Sequence, residues 1–380
     1  MEEQSKCKKL CSGLVKAKPF IAMISLQFGY AGMYIVTMVS LKRGMNHYVL
    51  AVYRHVVATL VIAPFALLLE RKIRPKMTLP IFLRIVALGF LEPVLDQNMY
   101  YVGMQYTSAT FASASLNVLP AITFIMAIIF RLERVNIKRV RDIAKIVGTC
   151  VTVGGAMVMT MYKGPVLDII RSHGATHNHA TEPANQHWIM GTLLLLGSCC
   201  GWAGFFILQS FTLKKYPAEL SLTALICLMG SVEGSIVALI MERDMTVWQI
   251  GFDSRLLAAV YTGVVCSGFA YYIQGMVIKE RGPVFVTSFS PLCMIITAIL
   301  GIIILSEQLH LGSVIGAVFI VIGLYSVVWG KSKDSSVNNL SAASSSSTMT
   351  NEKNGSTLEL PISDTTKPST NFGNSNNNNV

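Results

Sequence analysis

Residues 29–43 read GYAGMYIVTMVSLKR and residues 201–215 read GWAGFFILQSFTLKK. A shift of 172 positions superposes the Gly-aromatic-Ala-Gly opening, the apolar run and the two closing basic residues, and it also pairs Glu70 and Arg71 with Glu242 and Arg243. Further along, a shift of 174 pairs Gly89 with Gly263, Phe111 with Phe285 and Glu133 with Glu307. A shift of 168 then pairs Gly148 with Gly316, Gly155 with Gly323 and Lys163 with Lys331. Self-similarity over so long a period marks a duplicated structural unit.

The unit is built for a membrane. Of the 380 residues 52% are hydrophobic and only 13% charged, about half the charged share of a soluble domain. Apolar runs long enough to cross a hydrocarbon core, about 20 residues, fall near 20–40, 49–69, 83–103, 108–130, 143–162, 188–209, 220–241, 256–277, 284–305 and 311–330. These expectations describe an all-α polytopic protein of ten transmembrane helices. They divide it into a leader (1–19), a first five-helix repeat (20–162), an outside linker (163–187), a second five-helix repeat (188–330) and a disordered tail (331–380). The first span follows a Lys-rich leader but is too long for a signal-peptide core, so it reads as a retained helix.

Five spans per copy is an odd number, so equivalent helices must cross in opposite directions. The repeat is inverted, the organisation of transporters that alternate access to a site between their halves. Lys and Arg give the orientation: with the N-terminus inside, the inside segments hold 22 basic residues and the outside loops 6. By the positive-inside rule both termini are cytosolic. The net charge of +11 is thus a topology signal, and no nucleic-acid partner is inferred from it. No cysteine lies in an outside loop, which argues against a secreted disulfide framework. Cys7 and Cys11 in the leader read either as palmitoylation sites or as plain cytosolic thiols.

Polar residues inside spans are the candidate site, because a charge at the bilayer centre costs about 2.5–3.5 kcal/mol on insertion scales. FLEPVLDQNMYY at 90–101 carries Glu92, Asp96, Gln97, Asn98 and Tyr101 around Pro93. On an α-helix Glu92 and Asp96, four apart, share a face. Pro93, and Pro120 and Pro291 at nearly matching places in the fourth and ninth spans, are expected helix breaks, and such breaks in corresponding halves point to a binding site. The expected cavity is lined by Gln97, Asn98, Tyr101, Asn117, Tyr271, Tyr272 and Gln274, with Trp202 completing the wall. Asp96 or Glu92 would bind a cationic group or a coupling proton. The competing reading for Asp96 is a structural ion pair with Arg54, at similar depth in the second span. Glu233, whose repeat mate is Val61, is a further charged candidate, set against a residue hydrogen-bonded between helices. Gln27 and Gln209 read equally as cavity wall or as helix-interface hydrogen bonds.

Other features read blandly. The glycines at 148, 155, 316 and 323 recur every seven residues and suit close helix packing. His173, His177, His179 and His187 sit in a linker without cysteine and with few carboxylates, so solvated histidines are expected there, with no metal site and no cofactor. The Ser/Thr/Asn-rich tail has too little apolar content to fold. No Walker, HExxH, GxSxG or kinase motif occurs, which supports neither ATP-driven pumping nor an enzyme.

Several stretches also carry a family resemblance, among them GYAGMYIVTMVSLKRGM, LEPVLDQNMYY, TSATFASASLNVLPAITFIMAIIFRLERV and GVVCSGFAYYIQGMVIKERGPVFVTSFSPL. Over about residues 19–333 the chain closely resembles plant EamA-type proteins. The resemblance is to the nodulin-like, Walls-Are-Thin-related branch of the drug/metabolite transporter superfamily, called Usually Multiple Acids Move In and out Transporters. It implies two EamA repeats and facilitated, often exporting, movement of amino acids at the plasma membrane. Some relatives are associated with auxin or the vacuolar membrane, so the alternatives are an auxin-like small organic acid as substrate or a vacuolar location. In similar folds helices one, three, four, six, eight and nine line the cavity, which puts Gln97, Asn117, Tyr271 and Gln274 on its wall. A non-transporting sensor acting through the tail is the reading from a different class. Partners beyond the substrate would be a coupling proton and membrane lipid.

Overall fold

The computed structural model describes residues 2–107, 112, 115–133, 135–136, 138–162, 188–305 and 311–331. The linker histidines, the tail, Ser113, Phe111, Lys163 and Glu307 lie outside them. Every regular element among the described residues is helical: α1 (Glu2–Lys42), α2 (His47–Leu69), α3 (Leu79–Gly89), a π-helical segment (Phe90–Asp96) and α4 (Gln97–Tyr106). There follow a 3-10 turn (Leu116–Val118), α5 (Leu119–Ile129), α6 (Val140–Met161), α7 (Trp188–Lys215) and α8 (Glu219–Met241). A second 3-10 turn (Met245–Trp248) leads to α9 (Ser254–Tyr261), a second π-helical segment (Thr262–Phe269), α10 (Ala270–Arg281), α11 (Pro283–Ser288) and α12 (Ser290–Leu305). The last helix is α13 (Leu311–Lys331).

Among the described residues eight helices are long and apolar enough to cross a membrane. Their outward faces suit lipid, with Leu68 79% and Ile240 67% exposed. Of the two other expected spans, 108–130 falls partly on undescribed residues, leaving the apolar helix Leu116–Ile129. The expected span at 83–103 is interrupted at Pro93, where a break is expected. It is α3, a π turn and α4 run together, because Pro93 has no N–H to give to the preceding turn and a widened i→i+5 ring absorbs the mismatch. The second π segment stands at the repeat-related place without a proline. The first helix also begins earlier than the expected 20, running continuously from Glu2.

Repeat mates pack antiparallel on one another. Glu70, at the C-cap of α2, accepts hydrogen bonds from the backbone N–H of Leu220 (2.9 Å) and Ser221 (2.7 Å), at the start of α8. Its mate Glu242, at the C-cap of α8, accepts one from Asn46 Nδ2 (2.7 Å), and Asn46 itself caps the start of α2. A carboxylate at a helix N-terminus offsets the partial positive charge of the unpaired N–H groups, so each end of one helix fixes the opposite end of its mate. The first helix of each copy crosses over. Helix α1 packs on α9, α10 and α12, while α7 packs on α3, α4 and α5.

Helices α6 and α13 meet through the four paired glycines. A Cβ on Gly155 would lie 2.6 Å from Phe319 Cβ and 3.0 Å from the Gly316 carbonyl, and one on Gly148 2.8 Å from the Gly323 carbonyl. These neighbours are mostly backbone and cannot step aside. Gly155→Ala is therefore expected to cost about 1–3 kcal/mol, the usual penalty of overpacking, read as a lower melting temperature of the purified protein. The exposed Gly154, with nothing within 4 Å, is the control: Gly154→Ala should melt as wild type does.

One buried ion cluster ties the two copies at an end of the bundle. Lys145 on α6 reaches Glu133 (3.1 Å) and Asp142 (3.0 Å), and Lys331 on α13 reaches the same Glu133 (2.6 Å).

Candidate functional site

The residues that break the apolar pattern in α2 and the first π segment meet at the interface of the two copies. Arg54, on α2, is buried apart from 11% of its side chain, and its Nη2 lies 3.2 Å from Glu92 Oε1. Its Nε donates to Ser267 Oγ in the second π segment (2.5 Å), and Nη2 also reaches Tyr271 OH (3.5 Å) on α10. Tyr271 OH in turn donates to Glu92 Oε2. The first copy thus supplies the charge pair, and the second supplies two hydroxyls that hold it.

Glycines bring these backbones together. A Cβ on Gly263 would stand 2.6 Å from the Arg54 carbonyl, and one on Gly230 2.7 Å from Pro93 Cγ. With hydrogen at both positions, α2 lies against the second π segment and α8 against the first. Bulkier residues would push Arg54 and Glu92 apart.

Asp96 does not pair with Arg54. The ion pair with Arg54 that was the competing reading for Asp96 belongs to Glu92, four residues earlier, and Asp96 accepts a hydrogen bond from Ser198 Oγ on α7 instead. The widened turn is the reason: over i→i+5 geometry residues four apart no longer keep α-helical facing, so Glu92 turns to α2 and α10 while Asp96 turns to α7.

A second polar group lies one turn along α10 from Tyr271. Gln274, 3% exposed, donates from Nε2 to Tyr30 OH on α1 (2.6 Å). Gln209 on α7, 1% exposed, lies beside the adjacent Gly275, its Nε2 being 3.7 Å from where that glycine's Cβ would be. Gln274 Oε1 and Gln209 Oε1 are both buried without a hydrogen-bond partner, as is Asn117 Nδ2 at the 3-10 turn before Pro120. Buried polar atoms are nearly always paired, so two buried acceptors and a donor left open at the interface mark places that take a water or a ligand.

The remaining expected residues lie apart from this cluster. Asn98 donates to its own helix at Val94 O (2.6 Å) and lines, with Val94, Met99, Val237 and Met241, an apolar crevice of about 280 Å³. Tyr101 stacks near His47 (centroids 4.5 Å) and Trp202 stacks on Phe206 (6.1 Å). Gln97 and Tyr272 are half-buried and join none of these hydrogen bonds. Glu233 keeps Oε2 buried without a partner on α8. Pro120 starts α5 and Pro291 starts α12, each just after a break in its helix.

Sequence reasoning missed His55, Ser198 and Ser267. His55 was signalled by its place next to Arg54 in an apolar span, since intramembrane ionisable residues are functional candidates by default. Nothing distinguishes Ser198 or Ser267 from the serines of other spans.

The profile of the EamA-like transporter family matches residues 18–161 and 189–329, once on each copy. The chain belongs to that family. It is 68% identical over 324 residues to WAT1-related protein At4g08300 of Arabidopsis thaliana, covering 84% of this chain and 87% of the relative. It is 68% identical over 328 residues to WAT1-related protein At1g21890 of the same plant, covering 83% and 84%. A solved crystal structure shares the fold at 14% identity with a TM-score of 0.64, spanning 82% of this chain and 98% of that one. This EamA protein is thus a multi-pass membrane transporter of the WAT1-related branch, and two EamA repeats enclose the Arg54–Glu92 pair.

Proposed function

We propose that the chain is a ten-span secondary transporter that moves neutral and polar amino acids across the plasma membrane by alternating access, in both directions or outward. The supporting observation is the buried Arg54–Glu92 pair of the first copy, held by the Ser267 and Tyr271 hydroxyls of the second. A zwitterion needs a cation for its carboxylate and acceptors for its ammonium. Arg54 supplies the first, and the open amide oxygens of Gln209 and Gln274 supply the second. Only a transition between two packings of the repeats exposes such a pair to each side in turn.

The test is uptake and efflux of a labelled amino-acid panel in proteoliposomes of the purified protein. Flux of several amino acids is the expected result. Asn117→Ala should lower it about tenfold, the worth of one buried hydrogen bond of roughly 1.5 kcal/mol, and Asp96→Asn should lower it too, with protein still folded in the membrane. Normal flux in both variants would remove these residues from the site.

A second reading has one observation behind it. Phe205 packs on Tyr271 with centroids 5.4 Å apart, and an aromatic wall beside Arg54 suits an indolic or other small organic acid. Flux of such an acid with none of any amino acid would favour it. A sensor acting through its tail would move neither, and removing residues 334–380 would abolish its signalling while leaving a transporter's flux intact.

A further inference from the structure

His55 lies beside Glu92 with the wrong complement of protons for a resting contact. Its Nδ1 is 2.7 Å from the Ala51 carbonyl, which can only accept, so Nδ1 carries the ring hydrogen and Nε2 of the neutral ring presents a lone pair. That Nε2 is buried, has no hydrogen-bond partner, and stands 3.8 Å from Glu92 Oε2. His55 is 1% exposed, so no bulk water fills the gap. Two acceptors facing each other in an apolar interior are held apart until a proton joins them.

The groups around Glu92 limit what that proton does. Arg54 and His55 face it from α2 and Tyr271 from α10, with Cys227 on α8 and Tyr30 on α1 within electrostatic range. Asp96, in the same π segment, is turned to Ser198. Without the proton, Glu92 balances Arg54 and the cluster is neutral. With it, whether bonded to Oε2 or to Nε2, the cluster carries one uncompensated positive charge. A buried charge of that kind is costly unless paired, and a substrate carboxylate at Arg54 pairs it.

We propose that Glu92 and His55 form a single-proton site whose proton travels with a carboxylate bound at Arg54, which makes the chain a proton–carboxylate symporter. The inference rests on the transporter reading above. In each cycle one O–H or N–H bond forms with a proton from one side of the membrane and breaks to the other. No electrons move, and charge in the cluster balances at both ends of the cycle.

The experiment uses the full-length protein in proteoliposomes with labelled glutamine, the membrane potential held at zero. Two fluxes are compared, exchange at equal pH and net accumulation against an imposed pH step. Wild-type protein should accumulate glutamine toward the alkaline side by up to about tenfold per unit of pH. Glu92→Gln, and separately His55→Gln, should bring the ratio of gradient-driven to exchange flux down to near one. Accumulation that ignores the pH step in wild type, or persists in Glu92→Gln, overturns the inference while the transporter reading stands. Failure of wild type to move any amino acid overturns both. Should a variant fold poorly, proton uptake by solubilised wild-type protein decides: adding glutamine in weakly buffered indicator solution should draw about one proton per chain, and none would overturn the proposal.

Discussion

Arg54→Met is expected to abolish flux and to destabilise the protein by about 3–5 kcal/mol, the cost of leaving one member of a buried ion pair unpaired. Arg54 makes three bonds that span both copies, to Glu92, Ser267 and Tyr271, and methionine replaces none of them. Glu92 would keep the Tyr271 hydroxyl but lose the cation at its Oε1. The informative variant is the double one, Arg54→Met with Glu92→Leu. Replacing a whole buried pair by apolar side chains is often neutral or stabilising, so the double variant should melt within a few degrees of wild type. It should still carry no flux, because the carboxylate subsite is gone. Melting curves and proteoliposome flux on the three proteins check this. A double variant that recovers transport along with stability would make the pair structural.

Lys145→Met should give the second large effect, again about 3–5 kcal/mol. Lys145 is 1% exposed and lies between Glu133 and Asp142. Its loss leaves Asp142 with the Asn136 backbone N–H on Oδ2 (2.9 Å) and, among the described residues, no cation at Oδ1. Lys331→Met should cost less, since Glu133 then still has Lys145. The two variants also differ in kind. Lys145 joins neighbours within the first copy, whereas Lys331 is the second copy's contribution, so its removal should loosen the link between copies more than the fold of either. Melting curves give the order of the two costs. Accessibility of a cysteine at Gly330, whose Cβ would press on the Arg141 carbonyl at 2.8 Å, would be too disruptive a probe, and labelling of the native exposed Cys150 on α6 serves instead. It should rise in Lys331→Met.

The membrane class, the duplication and the inversion of the copies were all legible in the chain. Each depends on one-dimensional properties: apolar runs of bilayer length, residues recurring at a fixed offset and, for the inversion, the expected odd number of spans per copy. The antiparallel α2–α8 pairing, with Glu70 and Glu242 at its two ends, follows from that inversion. The glycine seam of α6 and α13 was legible for a similar reason, because a seven-residue spacing keeps small residues on one helical face.

The site was legible only as a neighbourhood. The stretch at 90–101 stood out because charges in an apolar span are costly, yet α-helical spacing put Glu92 and Asp96 on one surface. Tertiary structure separated them, through a turn at Pro93 whose break the sequence announces but whose widened π geometry, which changes the way each carboxylate faces, it does not. It also gave Arg54 to Glu92 and Ser198 to Asp96 and brought His55 to face Glu92. Partners 38 and 102 residues apart are chosen by how the helices pack and by where glycine lets backbones approach. Those are properties of the assembled bundle, so the sequence could name the polar residues, and only the fold could say which of them meet.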